Sequence, residues 1–267
     1  MASPATSDGT RRWYHTIDLP DGSTTPGFFD TRRAPEHVRW PRELTGGRAL
    51  DVGTFDGFWA FEMERRGAAE VVALDLDDPD ELDWPYDERV QGPALVRAIG
   101  SGRGPGFETA SAALGSSVRR VNRSVYDLDP AVDGRFDVVC CGALLLHLRD
   151  PVRALERIRE VCAGELVLVE SLDPRLDLAH PRASVARFHD EWDCWWLLNR
   201  PGLLHMTRTA GFDVTWVSPR FLVPFGTGSG GLRPSRLHSW AARRPWRQGV
   251  LFVAVGARPR PPRPSAR

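Results

Sequence analysis

The chain has 267 residues, 42% of them hydrophobic, which is enough for one α/β domain with elaborations around a substantial core. Its 35 basic residues balance 35 acidic ones, so no net field attracts a polyanion, and this counts against a nucleic-acid substrate. All basic residues are arginines spread along the whole chain, which indicates coding bias rather than a phosphate site.

Two further classes of protein fit the sequence poorly. No apolar run reaches the length of a membrane span, and the first residues lack the apolar core of a signal peptide. The four cysteines show no Cys-x-x-Cys spacing, so the sequence predicts no metal site. We therefore expect a cytoplasmic protein with neither a membrane nor a metal as partner.

The most informative segment covers residues 48–57, where a short apolar strand runs into an acid and two glycines before a helix pattern begins. Gly53 and Gly57 would let the backbone turn sharply and approach a ligand, as at the nucleotide sites of α/β sheets. Asp51 ends the strand and is suited to a cationic group. Asp75 ends the next strand about 20 residues later, the spacing at which such folds bind ribose hydroxyls.

The rest of the chain alternates strands and helices. Residues 118–122 predict a strand, and residues 136–142 and 164–170 predict buried parallel strands. The helix between the last two is capped by Asp150 and begins at Pro151. Its apolar stripe consists of Val152, Leu155, Ile158 and Val161. This order predicts a doubly wound α/β sheet.

Together these motifs resemble those of class I S-adenosylmethionine-dependent methyltransferases. The first motif of that family is an acid followed by three glycines at alternate positions. Here the acid is Asp51, the outer glycines are Gly53 and Gly57, and Phe55 replaces the middle one. The resemblance covers roughly residues 45–256. It implies S-adenosylmethionine as the cofactor and a seven-stranded, mostly parallel, Rossmann-like sheet whose last strand is antiparallel.

The resemblance also implies which residues bind the cofactor. Asp75 matches the ribose-binding acid, and Asp127 matches the acid that meets the adenine amine, although Asp127 can equally cap a turn. Tyr126 is placed to stack on adenine. Gly142 ends a neighbouring strand beside the site, and Phe55 belongs to the cofactor loop, where we expect its ring to pack beneath the backbone.

Segments without clear periodicity surround this core. We expect residues 13–47 to fold over the cofactor site, because they combine aromatic and turn residues. The insertion that begins at residue 77 is too long for an ordinary connection and predicts a lid or a disordered loop. The predicted division is an N-terminal arm and cap at 1–47, a methyltransferase domain at 48–256 with insertions at about 77–106, 173–199 and 219–248, and a basic, Pro-rich tail at 257–267.

A narrower resemblance links the chain to a bacterial group described as similar to the tRNA (5-methoxyuridine-34) methyltransferases. It rests on residues 13–22, 51–58, 144–151 and 195–199. The tRNA enzymes use a carboxylated cofactor, held in part by a Tyr directly before a His, whereas Leu146 precedes His147 here. They also have a longer N-terminal region. Both differences favour ordinary S-adenosylmethionine and a small-molecule acceptor, with tRNA as the alternative.

The candidate catalytic residues are two histidines. His147 follows a strand that delivers residues to the open edge of the pocket, so it can orient or deprotonate an acceptor. The alternative is a histidine that packs under the cap and binds a backbone carbonyl. His15 in the cap is the second candidate. For the substrate, Trp195 and Trp196 predict an aromatic wall with Asn199 as its polar tip, although aromatics spaced this way on a helix more often belong to a core.

The predicted reaction is direct displacement at an activated methyl group, with an O or N acceptor and without a metal or a covalent intermediate. Two other classes stay open. A nicotinamide-dependent dehydrogenase also has glycines before an acid, but the glycines here lack its Gly-x-Gly-x-x-Gly spacing. The other is a non-catalytic protein that binds S-adenosylmethionine on a methyltransferase scaffold, because a fold does not fix a function.

Overall fold

The computed structural model describes residues 13–86, 104–188, 194–229 and 249–261. Within these ranges the helices are α1 (Phe58–Arg65), α2 (Gly104–Leu114), α3 (Pro130–Asp133), α4 (Pro151–Val161), α5 (Pro174–Ala179) and α6 (Arg200–Thr209). The strands are β1 (Trp13–His15), β2 (Gly27–Phe29), β3 (Arg48–Val52), β4 (Glu70–Asp75), β5 (Arg119–Asn122), β6 (Phe136–Gly142), β7 (Cys162–Ser171), β8 (Ala186–Phe188), β9 (Trp196–Leu198), β10 (Phe212–Val217), β11 (Phe221–Pro224) and β12 (Gly249–Pro259).

A mostly parallel sheet forms the centre of the fold. Its strand order is β5-β4-β3-β6-β7-β12-β10, and the strands from β5 to β7 run parallel to one another. β12 runs antiparallel to both of its neighbours. The predicted doubly wound α/β sheet of seven strands with an antiparallel last strand is confirmed. The short strand β11 also pairs with the first residues of β12, which the sequence did not reveal.

The central strands are apolar because both of their faces are covered. Val138, Val139, Cys140 and Cys141 of β6 are all completely buried, and they alternate between two separate hydrophobic clusters, one on each face of the sheet. A strand buried on both faces therefore appears as a continuous apolar run. Burial raises the pKa of both Cys140 and Cys141 far above the ordinary thiol value, so these cysteines are packing residues.

Helix α4 has the predicted boundaries. Its N-cap is Asp150, whose side chain accepts a hydrogen bond from the backbone N–H of Arg153 at 3.0 Å, and Pro151 begins the helix. The buried face consists of Pro151, Ala154, Leu155, Ile158 and Val161, while Val152 is only half-buried. This face joins the same hydrophobic cluster as β3 and β7, so the helix covers that side of the sheet.

The structure differs from the predicted division at three places. Strand β12 continues to Pro259, because Ala257 pairs with Val214 and Arg258 pairs with Asp213, so the tail begins later than residue 257. Helix α2 begins inside the predicted insertion at 77–106, and the predicted insertion at 219–248 contains β11. Residues 1–12, most of the predicted lid and the end of the tail lie outside the described ranges.

The segment predicted as a cap contains β1 and β2, which form a parallel two-stranded sheet. Trp13 and Ile17 are buried in the same hydrophobic cluster as Phe58 and Trp59 of α1. The segment therefore packs directly on one face of the central sheet. A bridge between Phe29 and Phe225 adds a second attachment, next to β11.

Candidate active site

A cleft of about 680 Å³ opens where β3 and β4 end and beside the turn after β5. The residues that line it include Gly53, Asp75, Asp83, Ser124, Tyr126 and His147. The carboxyl ends of parallel strands form the edge at which α/β sheets bind their ligands. Three predicted cofactor-binding residues and one predicted catalytic residue thus come together in one cleft.

The motif loop between β3 and α1 has an unusual backbone. Gly53 has a φ of +77°, and a Cβ at this position would come within 3.0 Å of the Leu144 side chain. Phe55, at the position of the missing family glycine, has a φ of +51°, which is costly for a residue with a side chain. Its ring centroid lies 5.3 Å from that of Tyr14. The loop keeps the left-handed backbone of a glycine motif although one glycine is absent.

The glycine that caps α1 serves packing. Gly57 has a φ of +93°, and a Cβ there would come within 2.4 Å of the Phe61 ring. It does not line the cleft among the residues that the structure describes. Gly57 therefore permits the close approach of helix and loop, and we assign it no contact with a ligand.

Asp75 is the buried acid at the end of β4. Its Oδ2 accepts a hydrogen bond from the backbone N–H of Phe55 at 2.7 Å, and its Oδ1 accepts one from the N–H of Leu76 at 2.8 Å. These bonds fix the carboxylate between the motif loop and the strand end, on the wall of the cleft. The position is the one at which such folds hold ribose hydroxyls.

The turn after β5 corrects the prediction for Asp127. The turn Val125–Asp127 is a 3-10 helix that carries Asp127 to the surface, and this residue is absent from the cleft wall. Ser124, at the start of the turn, lines the cleft instead. The error arose because one helical turn separates these two polar residues, and the sequence does not show which of them faces inward.

Tyr126 connects the turn to the segment after β4. Its hydroxyl donates a hydrogen bond to Asp83 Oδ2 at 2.7 Å. Asp83 Oδ2 also accepts a hydrogen bond from the backbone N–H of Arg149 at 2.8 Å. Burial and the neighbouring carboxylate raise the pKa of the Tyr126 hydroxyl. Residues 81–84, which lie within the predicted lid, therefore form one wall of the cleft.

Asp51 lies under the motif loop. It is buried, its Oδ2 accepts a hydrogen bond from the backbone N–H of Ala60 at 3.1 Å, and it is absent from the described lining of the cleft. Burial raises its pKa to about 7, and the nearby Thr54 hydroxyl and His15 oppose the rise. Asp51 Oδ1 and Thr54 Oγ1 make no hydrogen bond within the described part of the chain. Such orphaned polar atoms are typical of sites that a ligand or water completes.

Glu170 is a site residue that the sequence reasoning missed. It is buried near the end of β7, and its Oε1 accepts hydrogen bonds from the backbone N–H groups of Leu144 and Leu145, each at 3.0 Å. Burial raises its pKa to about 7, and these two N–H donors oppose the rise. These bonds hold the loop that carries His147, and His147 lines the cleft. The Nδ1 atom of His147 lies 4.0 Å from Cys194 Sγ. An acid at the end of a buried strand was the available signal, as at Asp75.

Asp56 fastens the cap to the motif loop. It is completely buried and accepts hydrogen bonds from the backbone N–H groups of Tyr14 at 2.8 Å and His15 at 2.9 Å. Its other carboxylate oxygen pairs with His15 Nδ1. No local pattern indicated this role, because the partners are about 40 residues apart. The predicted catalytic residue His15 is thereby brought to the edge of the sheet.

A second, smaller space lies beneath the cap, and we call it the capped cavity. It has room for about one water molecule, and its lining includes Tyr14, His15, Phe29, Thr31, Trp59 and Gly142. Gly142 was predicted beside the cofactor, and a Cβ at this position would come within 2.5 Å of Trp59 Nε1. Gly142 thus lies at the end of β6, between the cap and the cleft-lining residue Leu144.

The predicted aromatic wall differs from the expectation in two ways. Trp196 begins β9 and Trp195 directly precedes it, so neither lies on a helix. The Trp195 indole donates a hydrogen bond to the backbone carbonyl of Asp83, next to the cleft. Asn199 is completely buried and caps α6, with its Oδ1 accepting from the N–H of Gly202 at 2.8 Å, so it cannot be the polar tip of a substrate wall. An Asn just before a Pro-containing first turn was the overlooked signal.

Among the residues that the structure describes, no group of three or more His, Cys, Asp or Glu side chains is arranged to hold a metal ion. None of the described helices has the length and apolar character needed to cross a bilayer.

Comparison with known proteins identifies the family. Residues 32–217 match the family model described as a methyltransferase domain. The tRNA U34 carboxymethyltransferase of Ectopseudomonas mendocina is 28% identical over 182 residues, covering 66% of this chain and 49% of that protein. The ubiquinone biosynthesis O-methyltransferase of Xanthomonas euvesicatoria is 33% identical over 116 residues, covering 43% and 38%. The matched regions thus span about half or less of these curated relatives.

Solved structures show the same fold at low sequence identity. The N-terminal domain of EvdMO1, solved with S-adenosylhomocysteine and D-fucose, has a TM-score of 0.52 at 20% identity, covering 93% of this chain and 91% of that one. The [4+2]-cyclase SpnF has a TM-score of 0.53 at 17% identity, covering 86% and 80%. A fold that includes a cyclase does not by itself fix a reaction.

The cleft suits S-adenosylmethionine. The fixed carboxylate of Asp75 and the residue Ser124 lie on its wall. At Gly53 a Cβ would come within 3.0 Å of the Leu144 side chain, so glycine keeps this part of the wall open. Asp75 would hold the ribose, and Tyr126 with Ser124 would border the base. The chain therefore belongs to the methyltransferase-domain family of class I fold, and its cofactor is S-adenosylmethionine.

Proposed function

We propose that this chain transfers the methyl group of S-adenosylmethionine to an oxygen or nitrogen atom of a small molecule by direct in-line displacement. When bound, the cofactor supplies a methyl group already activated by a positively charged sulfur. The chain's own task is then to align the acceptor and exclude water. In this proposal Asp75 holds the ribose, Gly53 allows close approach, and the loop held by Glu170 supplies part of the cleft wall.

The observation that carries the small-molecule acceptor is the attachment of the cap. Asp56 binds two backbone N–H groups of β1 and the ring of His15, so the cap lies tightly over the carboxyl edge of the sheet. Two of the arginines described near the cleft are paired with acids, since Arg123 contacts Asp133 at 2.8 Å and Arg120 contacts Asp77. A covered edge at which these cations are already paired suits a small solute better than a polynucleotide, which requires unpaired cations along its backbone.

A tRNA acceptor is the second candidate. It is supported by the similarity to the tRNA U34 carboxymethyltransferase and by two arginines stacked on aromatic rings near the cleft. Arg149 lies 5.1 Å from the centroid of Trp195, and Arg153 lies 5.3 Å from that of Tyr126. Such pairs can meet phosphates or bases. Leu146, at the position of the tRNA enzymes' Tyr, supports ordinary S-adenosylmethionine as the cofactor.

The test is the transfer of radiolabelled methyl from S-adenosylmethionine into a whole-cell extract, followed by separation of solutes from nucleic acid. We expect label in small solutes that resists ribonuclease, and none with Asp75→Ala. Asp127→Asn is the matched control, because this acid is exposed and lies off the cleft wall. Label in ribonuclease-sensitive material would support the tRNA acceptor instead. A chain that binds S-adenosylmethionine but labels neither fraction would support the non-catalytic alternative.

A further inference from the structure

A basin on the protein surface shares none of its described lining residues with the cofactor cleft, and we call it the arginine basin. Its volume of about 650 Å³ lies within the range of small-ligand sites. The basic residues that line it are Arg182, Arg200, His205, Arg208 and Arg220, and the described lining contains no acid. The wall of the basin is therefore strongly positive in a chain whose net charge is zero.

The four arginines reach the basin from three parts of the fold. Arg200 and Arg208 lie on α6 about two turns apart, and Leu204 between them also lines the basin, so these residues occupy one side of the helix. Arg182 lies in the loop after α5, and Arg220 lies in the turn between β10 and β11. Tertiary folding thus creates the basin, and no local basic run in the sequence indicates it.

Most of this positive charge is not balanced by the protein. Arg220 pairs with Asp177, a buried acid that also accepts a hydrogen bond from the backbone N–H of Arg200 at 2.7 Å. The side chains of Arg182, Arg200 and Arg208 form no ion pair within the described part of the chain. Like charges that share one concave region repel each other, and a bound anion removes that repulsion. Three gathered guanidinium groups therefore point to an anionic ligand.

The chemistry of the wall favours phosphate as the anion. The planar guanidinium group donates two parallel hydrogen bonds that match the oxygens of a phosphate group. Ser184 Oγ lies 3.1 Å from His205 Nδ1, and both residues line the same space. Because each phosphate group carries a charge of roughly −1.5 to −2 at neutral pH, two linked groups balance the three arginines without an acid partner.

We infer that the arginine basin binds a small solute that carries two linked phosphate groups. This site is separate from the cofactor cleft, so the inference goes beyond the proposed function and does not depend on it. Arg182, Arg200 and Arg208 donate hydrogen bonds to the phosphate oxygens, and Asp177 fixes Arg220 as a further cation beside them. A polynucleotide fits less well, because its phosphates need cations along an extended path, whereas these arginines gather in one concave region.

Calorimetric titration of the full chain with sodium pyrophosphate in metal-free buffer measures this binding directly. We expect saturable binding at a single site, weakened by added sodium chloride because salt screens exposed charges. Arg200→Gln and Arg208→Gln each remove a guanidinium group and keep a long polar side chain. Each should weaken pyrophosphate binding about 10-fold, the effect of losing a charge-assisted contact. The double variant should weaken it about 100-fold, because the two contacts are separate.

The matched control is Arg39→Gln. Arg39 is also exposed and forms no ion pair within the described part of the chain, but it does not line the basin, so its loss changes only the net charge. This variant should bind pyrophosphate within about twofold of the unmodified chain. All variants should keep the thermal unfolding temperature and the affinity for S-adenosylhomocysteine, because the basin lies outside the cleft.

Two further probes define the ligand. Inorganic phosphate should bind about 10-fold more weakly than pyrophosphate, because a single group meets fewer guanidinium groups at once. Equal affinity for the two would overturn the assignment of a doubly phosphorylated ligand. A short single-stranded RNA that binds more tightly than pyrophosphate, and that loses affinity with Arg200→Gln, would make the basin a contact for nucleic-acid backbone and overturn the inference in favour of RNA.

Three other results would also overturn the inference. The absence of saturable pyrophosphate binding would leave the basin as a solvated surface. Equal weakening by Arg39→Gln and the basin variants would show a general attraction to positive charge. Displacement of pyrophosphate by S-adenosylhomocysteine would place the anion in the cofactor cleft.

Discussion

The cleft and the capped cavity adjoin each other, yet they are built in opposite ways. The residues that line the cleft lie at strand ends and in the turns that follow them. Gly53 and Asp75, for example, lie at or next to the end of a strand that the sequence predicts. The capped cavity collects its groups from widely separated segments, such as His15, Thr31, Trp59 and Gly142. The comparison teaches that a space built at strand ends follows from local sequence pattern, whereas a space beneath the cap follows only from tertiary packing.

The largest expected effect belongs to the cleft. Asp75→Ala removes the carboxylate that would accept the ribose hydroxyls, and hydrogen bonds to a charged group contribute about 1.5–3 kcal/mol each. We expect affinity for S-adenosylmethionine to fall about 1,000-fold, or ~4 kcal/mol, in titration calorimetry. Because Asp75 also binds the N–H of Phe55, Asp75→Asn serves as the variant that keeps the loop in place. Unchanged affinity in both variants would remove the ribose assignment.

A pH effect is expected under the motif loop. Burial raises the pKa of Asp51 from 3.8 to about 7, so between these values the folded chain holds a proton that the unfolded chain has lost. The free energy of unfolding should therefore decrease as the pH rises from about 4 to about 7 and level off above that. The Asp51 contribution is on the order of 4 kcal/mol.

Urea unfolding at several pH values checks this effect. The Asp51→Asn variant should match the stability of the unmodified chain near pH 4 and exceed it near pH 8. Because the pKa of Glu170 is also raised to about 7, part of the decrease in the free energy of unfolding should persist in this variant. The exposed acid Asp127, changed to Asn, is the control and should give a curve parallel to that of the unmodified chain. Parallel curves for Asp51→Asn as well would show that Asp51 is not the group that titrates.

The two histidines sharpen the comparison between the regions. His147 lines the cleft with Asp75 and Tyr126, so we expect His147→Gln to weaken S-adenosylhomocysteine binding about 10-fold, with turnover at saturating cofactor within twofold of normal. His15 is absent from the described lining of the cleft, so His15→Gln should leave this affinity within twofold of normal. Steady-state rates at several cofactor concentrations separate the two effects. Lower turnover at constant cofactor affinity for His147→Gln would restore the sequence-based hypothesis that His147 is the catalytic base.

The smallest effect is expected at the departure from the family motif. Phe55→Gly would relieve the cost of a φ of +51° but would lose the contact with Tyr14 and add freedom to the unfolded chain. These effects oppose each other, so stability should change by about 1 kcal/mol or less, with cofactor affinity retained. Thermal unfolding and calorimetry check both quantities. A large loss of affinity would mean that the Phe55 ring contacts the cofactor.

Much of the fold could be predicted from the sequence, and the reason is physical. Strands β6 and β7 are buried on both faces, so they appear as uninterrupted apolar runs, and Asp150 with Pro151 marks the start of α4. β11 escaped prediction because a strand of four residues between turn residues carries no clear period.

The site was predictable only where it follows the strands. Asp75 could be found because it ends a strand at the expected spacing, and Glu170 carried the same signal unnoticed. The ligand contacts predicted for Asp127 and Asn199 do not match the structure, because a polar side chain near a turn or a helix start binds the backbone as often as it binds a ligand. Asp56 had no local signal at all, since its significance arises from contacts across the cap.

The most direct test of the account is a crystal structure of the complete chain with S-adenosylhomocysteine. The account predicts ribose hydroxyls on the Asp75 carboxylate and the base beside Ser124 and Tyr126. A ribose away from Asp75 would contradict the assignment of the cleft to the cofactor.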